Sequence, residues 1–494
     1  MMIPKMRWWA AVVAAISVGS VLTSCSSDSA APSPDLAAEL AGKISADGMY
    51  THLQELQTIA DANDGSRSNG TPGYDASVDY VAKFLQDKGF DVQTPEFELL
   101  DRSEGGNPQL TIGGRNYGVQ QASLLITTSR GGLNGVTLRP QKTSAGCRSA
   151  DYGTVSMRGA IAVVDDTGCS VVAKQNAAVD RGAVGVLVVS APAPGAGSPP
   201  GLFTPGYYQQ LTVPVGVIGN DANAALRRTT APVKLVLDNK PVMKKARNVL
   251  AQTKSGDTRN VVMVGAHLDS SARSPGINDD GSGVAAVLET AGALGSAPQI
   301  RNAVRFALWG SEENALQGAT KYIRGLEGGQ LDEIALYLDL DMIGSPNAGY
   351  FTYDGDQSGQ PNPEIPLDTV PEGSAGIERT LASYLNSAGA RPADMPLTRY
   401  TDYNAFLTAG VPVGGLTAGA SQRKTEVQAR LWGGRAGAPY DPNYRTPRDT
   451  IDNIDRDALS VMGSAAAFAV GTYAQSVEGV NGVPAFDQRH RSAR

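Results

Sequence analysis

Four apolar segments, three of them followed at once by polar residues, place the strongest constraint on the fold of this chain. The segments are residues 248–253, 261–266, 303–309 and 335–340. Helical periodicity lies between or after them at residues 282–295, 315–326, 377–389 and 455–475. Continuous apolar strands that alternate with helices are typical of a sheet covered on both faces. The sequence therefore predicts an α/β domain with a mixed, largely parallel central sheet flanked by helices.

The rest of the chain divides into segments of different character. With 494 residues, the length predicts two or three domains. Residues 46–102 read as helix, loop, helix and strand, whereas residues 103–245 contain short apolar runs separated by Gly and Pro. The formal net charge of −7 arises without any block of basic residues, which argues against a nucleic-acid partner.

The first residues predict export and a lipid anchor. Lys5 and Arg7 precede an uncharged run over residues 8–21, which is too short to span a bilayer but suits the core of a signal peptide. The run ends in Leu22-Thr-Ser-Cys25, which resembles the bacterial lipobox. We expect a signal peptide over residues 1–24, a lipidated Cys25, a tether over residues 25–45, and localisation at the extracytoplasmic face of the cell membrane. At the other end, residues 479–494 predict a polar, mobile tail.

Two cysteines remain once Cys25 is assigned to the lipid. Cys147 and Cys169 stand in a chain predicted to be exported, and an even number of cysteines in an oxidising compartment favours a disulfide. Their spacing lacks the paired C-x-x-C pattern of a structural zinc site. We therefore predict a disulfide between them.

Polar residues cluster directly after three of the four predicted strands. They are His267, Asp269, Asp279 and Asp280 after the second strand, Glu312 and Glu313 after the third, and Asp341 after the fourth. Ligand sites in sheets of this kind lie at the carboxyl ends of the strands. Several carboxylates buried together are costly without a cation, and imidazole and carboxylate are suitable ligands for zinc. The pattern predicts a zinc site, although helix caps and loop acids would also use these residue types.

Specific motifs around these residues resemble a known family, the co-catalytic zinc aminopeptidases of the Streptomyces and Aeromonas leucyl aminopeptidase type. The matching motifs begin at His267, Gly276, Gly310, Asp341 and Tyr440, and the resemblance covers residues 46–102 and 246–478. Between them, the runs that begin at Gly159 and Arg181, with Gly168, Cys169 and Lys174, resemble the protease-associated domain, a mainly-β module inserted into several exopeptidases. The resemblance implies a zinc exopeptidase fold with this module at residues 103–245.

The resemblance also implies a role for each site residue. His267 and Asp341 would bind one zinc, Glu313 would bind a second, and Asp279 would bridge both. Glu312 would act as the general base, and Asp269 would orient His267. Tyr444 matches the tyrosine that steadies the tetrahedral intermediate.

The implied activity is hydrolysis of the N-terminal peptide bond of peptide substrates. Zinc polarises the scissile carbonyl and lowers the pKa of water, while Glu312 takes the proton and passes it to the leaving amine. The same fold also hosts carboxypeptidases and glutaminyl cyclases, so the scaffold alone does not select the reaction.

One position departs from the family pattern. The family has Tyr-His at the last motif, whereas this chain has Tyr444-Arg445. A guanidinium offers no lone pair and cannot replace the histidine ligand of the second zinc. The other two histidines are His52, in the N-terminal helical region, and His490, in the predicted tail.

The sequence is compatible with three outcomes of this substitution. The enzyme could work with one zinc on His267, Asp279 and Asp341, with Arg445 as a fixed cation near Glu313. It could bind a second zinc weakly through Glu313, Asp279 and water. Catalysis could also be lost, which would leave a lipoprotein that binds peptides or partners on the same fold.

Overall fold

The computed structural model describes residues 35–142, 144–190, 202–204, 206–327, 329–479 and 482–492. The predicted signal peptide at residues 1–24 and the predicted lipidation site Cys25 lie outside the described residues. Within the described part of the chain, no helix has both the length and the apolar character needed to cross a membrane.

Twelve α-helices form within the described residues. They are α1 (Leu36–Lys43), α2 (Ala46–Asp61), α3 (Pro72–Asp87), α4 (Val171–Val179), α5 (Asn220–Leu226), α6 (Gly281–Leu294), α7 (Gln317–Arg324), α8 (Gln330–Glu333), α9 (Ser374–Ser387), α10 (Tyr403–Thr408), α11 (Glu426–Trp432) and α12 (Arg456–Gln475). The residues just before α2 and α3 determine where these two helices begin. The side chains of Ser45 and Thr71 accept hydrogen bonds from backbone N–H groups in the first turns of α2 and α3.

The described residues also contain nineteen strands. They are β1 (Asp91–Gln93), β2 (Glu96–Glu104), β3 (Gln109–Ile112), β4 (Arg115–Gly118), β5 (Gln120–Gln121), β6 (Leu133–Gly135), β7 (Thr137–Leu138), β8 (Ile161–Asp165), β9 (Gly185–Val189), β10 (Val215–Ile218), β11 (Val233–Val236), β12 (Lys240–Arg247), β13 (Val249–Gln252), β14 (Asp257–His267), β15 (Asn302–Trp309), β16 (Ile334–Leu340), β17 (Phe351–Tyr353), β18 (Ala393–Met395) and β19 (Val413–Thr417).

Eight strands build the main sheet, in the order β1-β13-β15-β14-β16-β19-β17-β18. The central strands β15, β14, β16 and β19 are parallel, whereas β13 and β17 run antiparallel to their neighbours in that set. The prediction of a mixed, largely parallel sheet is therefore confirmed.

The central strand β14 shows how the sheet is buried on both faces. Val262, Val264 and Ala266 belong to one apolar cluster, together with residues of α2, α3, α6, α9 and α12. Val261 and Met263 belong to a second cluster, with residues of α7 and α10. Successive side chains of a strand point to opposite faces, so a continuous apolar run serves two layers of helices.

The parallel pairing brings the ends of three strands to one edge of the sheet. His267 at the end of β14 is level with Trp309 at the end of β15, and Gly265 is level with Asp339 near the end of β16. Residues that follow these strands must therefore start from the same edge.

The segment between β2 and β12 is mainly β-structure, as predicted. It contains a five-stranded sheet, β5-β10-β9-β8-β7, and a four-stranded sheet, β4-β3-β11-β6. The strands β2 and β12 pair antiparallel, so the chain leaves the main sheet and returns to it along one ribbon. Cys147 and Cys169 form a disulfide within this segment. The buried Lys174 ammonium secures the adjoining loops by donating to Ala145 O at 2.7 Å and Thr167 O at 2.6 Å.

The prediction of a tether over residues 25–45 is wrong for residues 36–43. These residues form α1, in which Leu40 is buried. The helix packs on α12 so closely that a Cβ at Gly471 would lie 2.7 Å from Ala37 Cα. Burial of the apolar side chains holds this helix on the domain.

The expectation of a mobile C-terminal tail is wrong for the described residues 482–492. The buried Arg489 donates to Arg259 O at 2.9 Å, to Asp332 O at 3.0 Å and to Asn260 Oδ1 at 2.6 Å. Backbone N–H of Arg491 donates to Asp332 Oδ1 at 3.0 Å. Composition alone indicated a solvated tail because the acceptors for these arginines lie elsewhere in the sequence.

Candidate metal centre

His267 stands at the centre of the site, at the end of β14. Its Nε2 lies 3.2 Å from Asp279 Oδ1 and 3.9 Å from both Asp341 Oδ1 and Glu312 Oε2. Although burial favours the neutral imidazole, the carboxylates of Glu312 and Asp279 raise the pKa of His267 well above its ordinary value. The surrounding charge therefore favours any cation at this position.

Three side chains have donor atoms close enough to share one metal ion. The ligand atoms of His267, Asp279 and Asp341 all lie within 4.8 Å of one another. One imidazole and two carboxylates are a suitable donor set for zinc, and the set leaves coordination positions open for water or substrate. The residues that the sequence assigned to the first zinc, with the predicted bridging carboxylate, thus come together and fit a zinc ion.

The tautomer of His267 is set by its second nitrogen. Nδ1 lies 2.9 Å from the backbone oxygen of Asp269, which only accepts, so Nδ1 carries a proton and Nε2 is the nitrogen that would bind a metal in exchange for its own proton. The family resemblance implied this orienting role for the Asp269 carboxylate. That carboxylate instead lies 3.9 Å from Nδ1 and accepts from the backbone N–H groups of Glu312 at 3.0 Å and Glu313 at 3.3 Å. Asp269 therefore positions both the imidazole and the glutamate pair.

Asp279 and Asp280 are held at the start of α6. The Asp449 carboxylate accepts from the backbone N–H of Asn278 at 2.9 Å and of Asp279 at 3.1 Å. Asp280 caps the helix through Gly283 N–H at 3.1 Å and also accepts from His267 N–H at 3.2 Å. The turn before them needs glycine, because Gly276 has a φ of +64° and a Cβ there would lie 2.6 Å from Asp279 O.

Buried carboxylate oxygens without partners line the same space. Asp279 Oδ2, Glu312 Oε2 and Glu313 Oε1 have no hydrogen-bond partner among the described residues. Burial raises the pKa of Glu312 well above its ordinary value, and it also raises the pKa of Glu313. Such oxygens are costly to bury alone, so they indicate a position for a bound cation, a water molecule or substrate.

Arg445 reaches into this space from the far end of the chain. Its Nη2 lies 2.6 Å from Glu313 Oε2 and 3.8 Å from Glu312 Oε2, and its Nε lies 3.6 Å from Asp279 Oδ2. Burial lowers the pKa of Arg445, but the charges of Asp279 and Glu313 outweigh this effect and raise it above its ordinary value. A permanent positive charge therefore lies between the two carboxylates that the sequence analysis assigned to the second zinc.

Tyr444 lies beside this guanidinium, with Arg445 Cζ 4.9 Å from the centre of its ring. Burial, together with the charge of Asp279, raises the pKa of Tyr444 well above its ordinary value. Its hydroxyl therefore stays protonated at neutral pH and remains available as a donor.

Neither remaining histidine joins the metal group. His52 Nδ1 lies 2.6 Å from Tyr80 OH, and its Nε2 lies 3.4 Å from Glu289 Oε1, between α2, α3 and α6. His490 lines a separate cavity with residues near Asp368 and Pro484. Within the described part of the chain, the three-residue group centred on His267 contains no second histidine.

Arg67 supports the loop that joins His267 to Asp279, and the sequence patterns did not predict this role. Its side chain is completely buried and donates to Leu268 O at 2.6 Å, Pro275 O at 2.9 Å and Gly276 O at 2.6 Å. These carbonyls begin and end the loop that joins His267 to Asp279. In the sequence, residues 66–73 have only the pattern of a turn. The hydrogen-bond acceptors of Arg67 lie some 200 residues away and leave no local signal.

Two parts of the chain match known protein families. Residues 248–470 match peptidase family M28, and residues 134–226 match the PA domain. The first match contains every proposed metal ligand, and the second lies in the mainly-β segment.

Curated relatives align along most of the chain. The probable lipoprotein aminopeptidase LpqL of Mycobacterium tuberculosis is 44% identical over 503 residues, covering 99% of this chain and 98% of that protein. An aminopeptidase of Pseudomonas aeruginosa is 35% identical over 452 residues, covering 89% of this chain and 82% of that protein.

Solved structures share the fold. An aminopeptidase from Aneurinibacillus sp. has a TM-score of 0.59 at 22% identity, covering 88% of this chain and 95% of that one. A zinc aminopeptidase from Bacillus subtilis has a TM-score of 0.52 at 22% identity, covering 89% of this chain and 98% of that one.

Proposed function

Because this chain belongs to peptidase family M28, with an inserted PA domain, we propose that it is a zinc aminopeptidase that hydrolyses the N-terminal peptide bond of peptides. The observation that carries the proposal is the convergence of His267, Asp279 and Asp341 within 4.8 Å beside Glu312. The names of the full-length relatives support the same activity.

We further propose that the enzyme works with a single zinc. His267, Asp279 and Asp341 would hold the ion, and the Arg445 guanidinium takes the place of a second metal between Asp279 and Glu313. The 2.6 Å contact from Arg445 Nη2 to Glu313 Oε2 supports this assignment. Two cations so close together would repel each other strongly, so the fixed guanidinium disfavours a second zinc.

Each residue around the ion would have its own chemical role. Zinc would supply a Lewis acid that polarises the scissile carbonyl and lowers the pKa of water. The unpartnered Glu312 Oε2 faces the ligands and takes the proton of the attacking water, then passes it to the leaving amine. Tyr444, kept protonated, donates a hydrogen bond to the oxyanion that develops on the substrate.

Glu313 gives the site its preference for a free N-terminus. One of its oxygens pairs with Arg445, whereas Oε1 has no partner among the described residues. A substrate α-ammonium group, which carries one charge where zinc carries two and which donates hydrogen bonds, would satisfy this buried oxygen. Substrates with a blocked N-terminus would leave it unpaired, which is costly.

The domain division and the anchor are part of the same proposal. The peptidase domain would comprise residues 46–102 and 246–478, together with α1 and residues 482–492, which pack on it, and the PA domain would comprise residues 103–245. The lipobox-like sequence ending at Cys25 supports lipidation and attachment to the extracytoplasmic face of the cell membrane. The word lipoprotein in the name of the Mycobacterium tuberculosis relative agrees with this assignment.

A second candidate function is favoured by Arg445 alone. With a ligand histidine replaced by arginine, the chain would be a catalytically impaired lipoprotein that binds peptides or partners on the same fold. The intact Glu312, His267, Asp279 and Asp341 favour hydrolysis over this alternative.

One experiment decides between the two functions. The purified chain is assayed for zinc content and for release of arylamine from leucyl and lysyl arylamides, with the N-acetylated substrates as controls. We expect about one zinc per chain and hydrolysis of only the unblocked substrates. Zinc-loaded protein that hydrolyses none of a broad set of unblocked substrates would favour the binding protein.

A further inference from the structure

A cleft of about 570 Å³ lies between the inserted segment and the main domain. One wall comes from Thr204, Gly206, Gln209 and Gln210 of the inserted segment. The other wall comes from α7 with the loop before it, and from residues 399–409 around α10. The described lining contains no acidic residue, although the chain as a whole carries a formal net charge of −7.

Two arginines line this cleft, and neither has a carboxylate partner among the described residues. Arg324 Nη1 donates to Gln209 Oε1 at 3.0 Å. Arg399 donates to Glu364 O at 2.9 Å through Nη2, and its Nη1 lies 3.4 Å from Asn404 Oδ1. All of these acceptors are neutral, and neither guanidinium forms an ion pair with a carboxylate of the described residues. Residues 191–201, next in sequence to the first wall, contain no Asp or Glu.

Both segments of the main-domain wall are connected to the metal centre by hydrogen bonds. Backbone N–H of Leu316 donates to Glu312 O at 2.8 Å, and that of Gln317 donates to Ser311 O at 3.0 Å. On the other side, backbone N–H of Asn404 donates to Thr401 O at 2.9 Å. The Thr401 hydroxyl donates to Asp339 Oδ2 at 2.6 Å at the end of β16. The lining of the cleft therefore includes Leu316, four residues after Glu312, on one side and Asn404, the hydrogen-bonding partner of Thr401, on the other.

We propose that this cleft binds a carboxylate of the peptide substrate on the leaving-group side of the cleaved bond, through Arg324 and Arg399. The proposal rests on the proposed aminopeptidase function. Guanidinium groups pair with carboxylates in a planar, two-point geometry, and the amides of Gln210 and Asn404 add hydrogen-bond donors. The C-terminal carboxylate of a short peptide and an acidic side chain in a longer one share this chemistry.

The test compares one peptide in two forms. A leucyl tetrapeptide with a free C-terminus, its C-terminal amide and leucyl arylamide are assayed with the parent chain. The same substrates are assayed with the double variant Arg324→Gln/Arg399→Gln. We expect the parent to favour the free acid over the amide by about tenfold in kcat/KM, mainly through KM, as charge-assisted hydrogen bonds allow. The double variant should lose this preference while its activity on leucyl arylamide stays unchanged.

Matched variants separate charge from structure. Arg324→Lys/Arg399→Lys keeps both charges and should keep part of the preference. Arg430→Gln, an exposed arginine on α11 outside the cleft, should keep all of it. An amidated peptide with an internal acidic residue distinguishes the two sources of the carboxylate, because only side-chain recognition restores the preference for it.

The inference is overturned if the double variant hydrolyses leucyl arylamide and keeps the parent's ratio of free acid to amide, or if the parent shows no preference. Direct binding of the labelled acid and amide to the parent chain is measured in parallel. A chain that hydrolyses nothing would contradict the proposed function, and equal binding of the two peptides would then overturn the carboxylate site as well.

Discussion

Arg445 Nη2 lies 2.6 Å from Glu313 Oε2, and this ion pair occupies the space between Glu313 and Asp279. The sequence motifs assigned that space to a second zinc. A carboxylate that pairs with a guanidinium has one oxygen fewer for a metal, and the guanidinium itself has no lone pair. Metal stoichiometry is therefore the property of this enzyme that depends most directly on a single residue.

Arg445→His should restore a second metal site. The imidazole supplies the missing donor and removes the competing positive charge, so we expect zinc content to rise from about one to about two per chain. Metal analysis after dialysis against low zinc measures the change. Arg448→His, which places the same side chain on an exposed position of the same loop, should leave the content at about one. A parent chain that already holds two zinc ions would contradict the role given to Arg445.

Glu312→Gln should abolish hydrolysis without releasing zinc. The amide cannot accept the water proton, so we expect kcat to fall by about 10²–10⁴-fold. The proposed ligands His267, Asp279 and Asp341 are unchanged, so zinc content should stay the same. Leucyl arylamide hydrolysis and metal analysis on the same sample check both statements, with the exposed Glu327→Gln as the control. Equal activity in the variant and the parent would remove Glu312 from the mechanism.

Arg67→Met should weaken both the fold and zinc binding. The substitution leaves the carbonyls of Leu268, Pro275 and Gly276 buried without donors, which we expect to lower the free energy of unfolding by about 3–5 kcal/mol. Burial lowers the pKa of Arg67 to about 10, so the guanidinium is charged at neutral pH. Urea unfolding and zinc competition assays measure the two effects. Arg273→Met, at an exposed position in the same loop, should change neither.

Glu378→Gln should stabilise the protein at alkaline pH. Burial and the charge of Asp356 raise the pKa of Glu378 to about 7, above its ordinary value of 4.5. The folded state therefore holds this proton more tightly than the unfolded state does. The resulting stability is complete below about pH 4.5 and is lost as the pH rises through about 7.

The glutamine stays neutral and can still accept from the backbone N–H of Gly355, as Glu378 does at 2.8 Å. We expect Tm to rise by roughly 1–3 °C at pH 8 and to change little at pH 4.5. Thermal unfolding at both pH values checks this. A variant that loses stability at pH 8 would show that the carboxylate is needed in its charged form.

Cys25→Ser should release the protein from the membrane. Without the thiol there is no position for the lipid, so the chain should move from the detergent phase to the aqueous phase on detergent partition, whereas Ser27→Ala should stay in the detergent phase. Labelled fatty acid incorporated into the Cys25→Ser variant would place the lipid elsewhere.

Much of the fold was predictable because it depends on periodic patterns. The strands β13 to β16 and the helices α6, α9 and α12 lie within a few residues of the predicted segments, since apolar runs and helical spacing report burial directly. The predictions failed for α1 and for the tail. There, a short apolar helix and a polar tail are held by contacts with distant elements, such as that of Ala37 with Gly471 and that of Arg489 with Arg259 O.

The candidate site shows the same division. His267, Asp279, Glu312, Glu313 and Asp341 could be found because each follows a strand or opens a helix, positions that sequence patterns mark. The roles of Arg67 and Asp449 could not, because their hydrogen bonds span about 200 and 170 residues. The sequence also could not predict which oxygen of Asp269 accepts from His267 Nδ1. The carbonyl and the carboxylate belong to the same residue, and only its conformation decides between them.

The sequence by itself determined which chemical groups are present: a set of candidate zinc ligands, a candidate base beside them, and an arginine where the family pattern has a histidine. Residue identity is enough for that conclusion, since a guanidinium lacks a lone pair in any fold. Only the tertiary structure decided where the side chain of Arg445 lies, and that Arg324 and Arg399 line the same cleft. Distances between residues far apart in the chain are set by the packing of the whole domain, which no local pattern records.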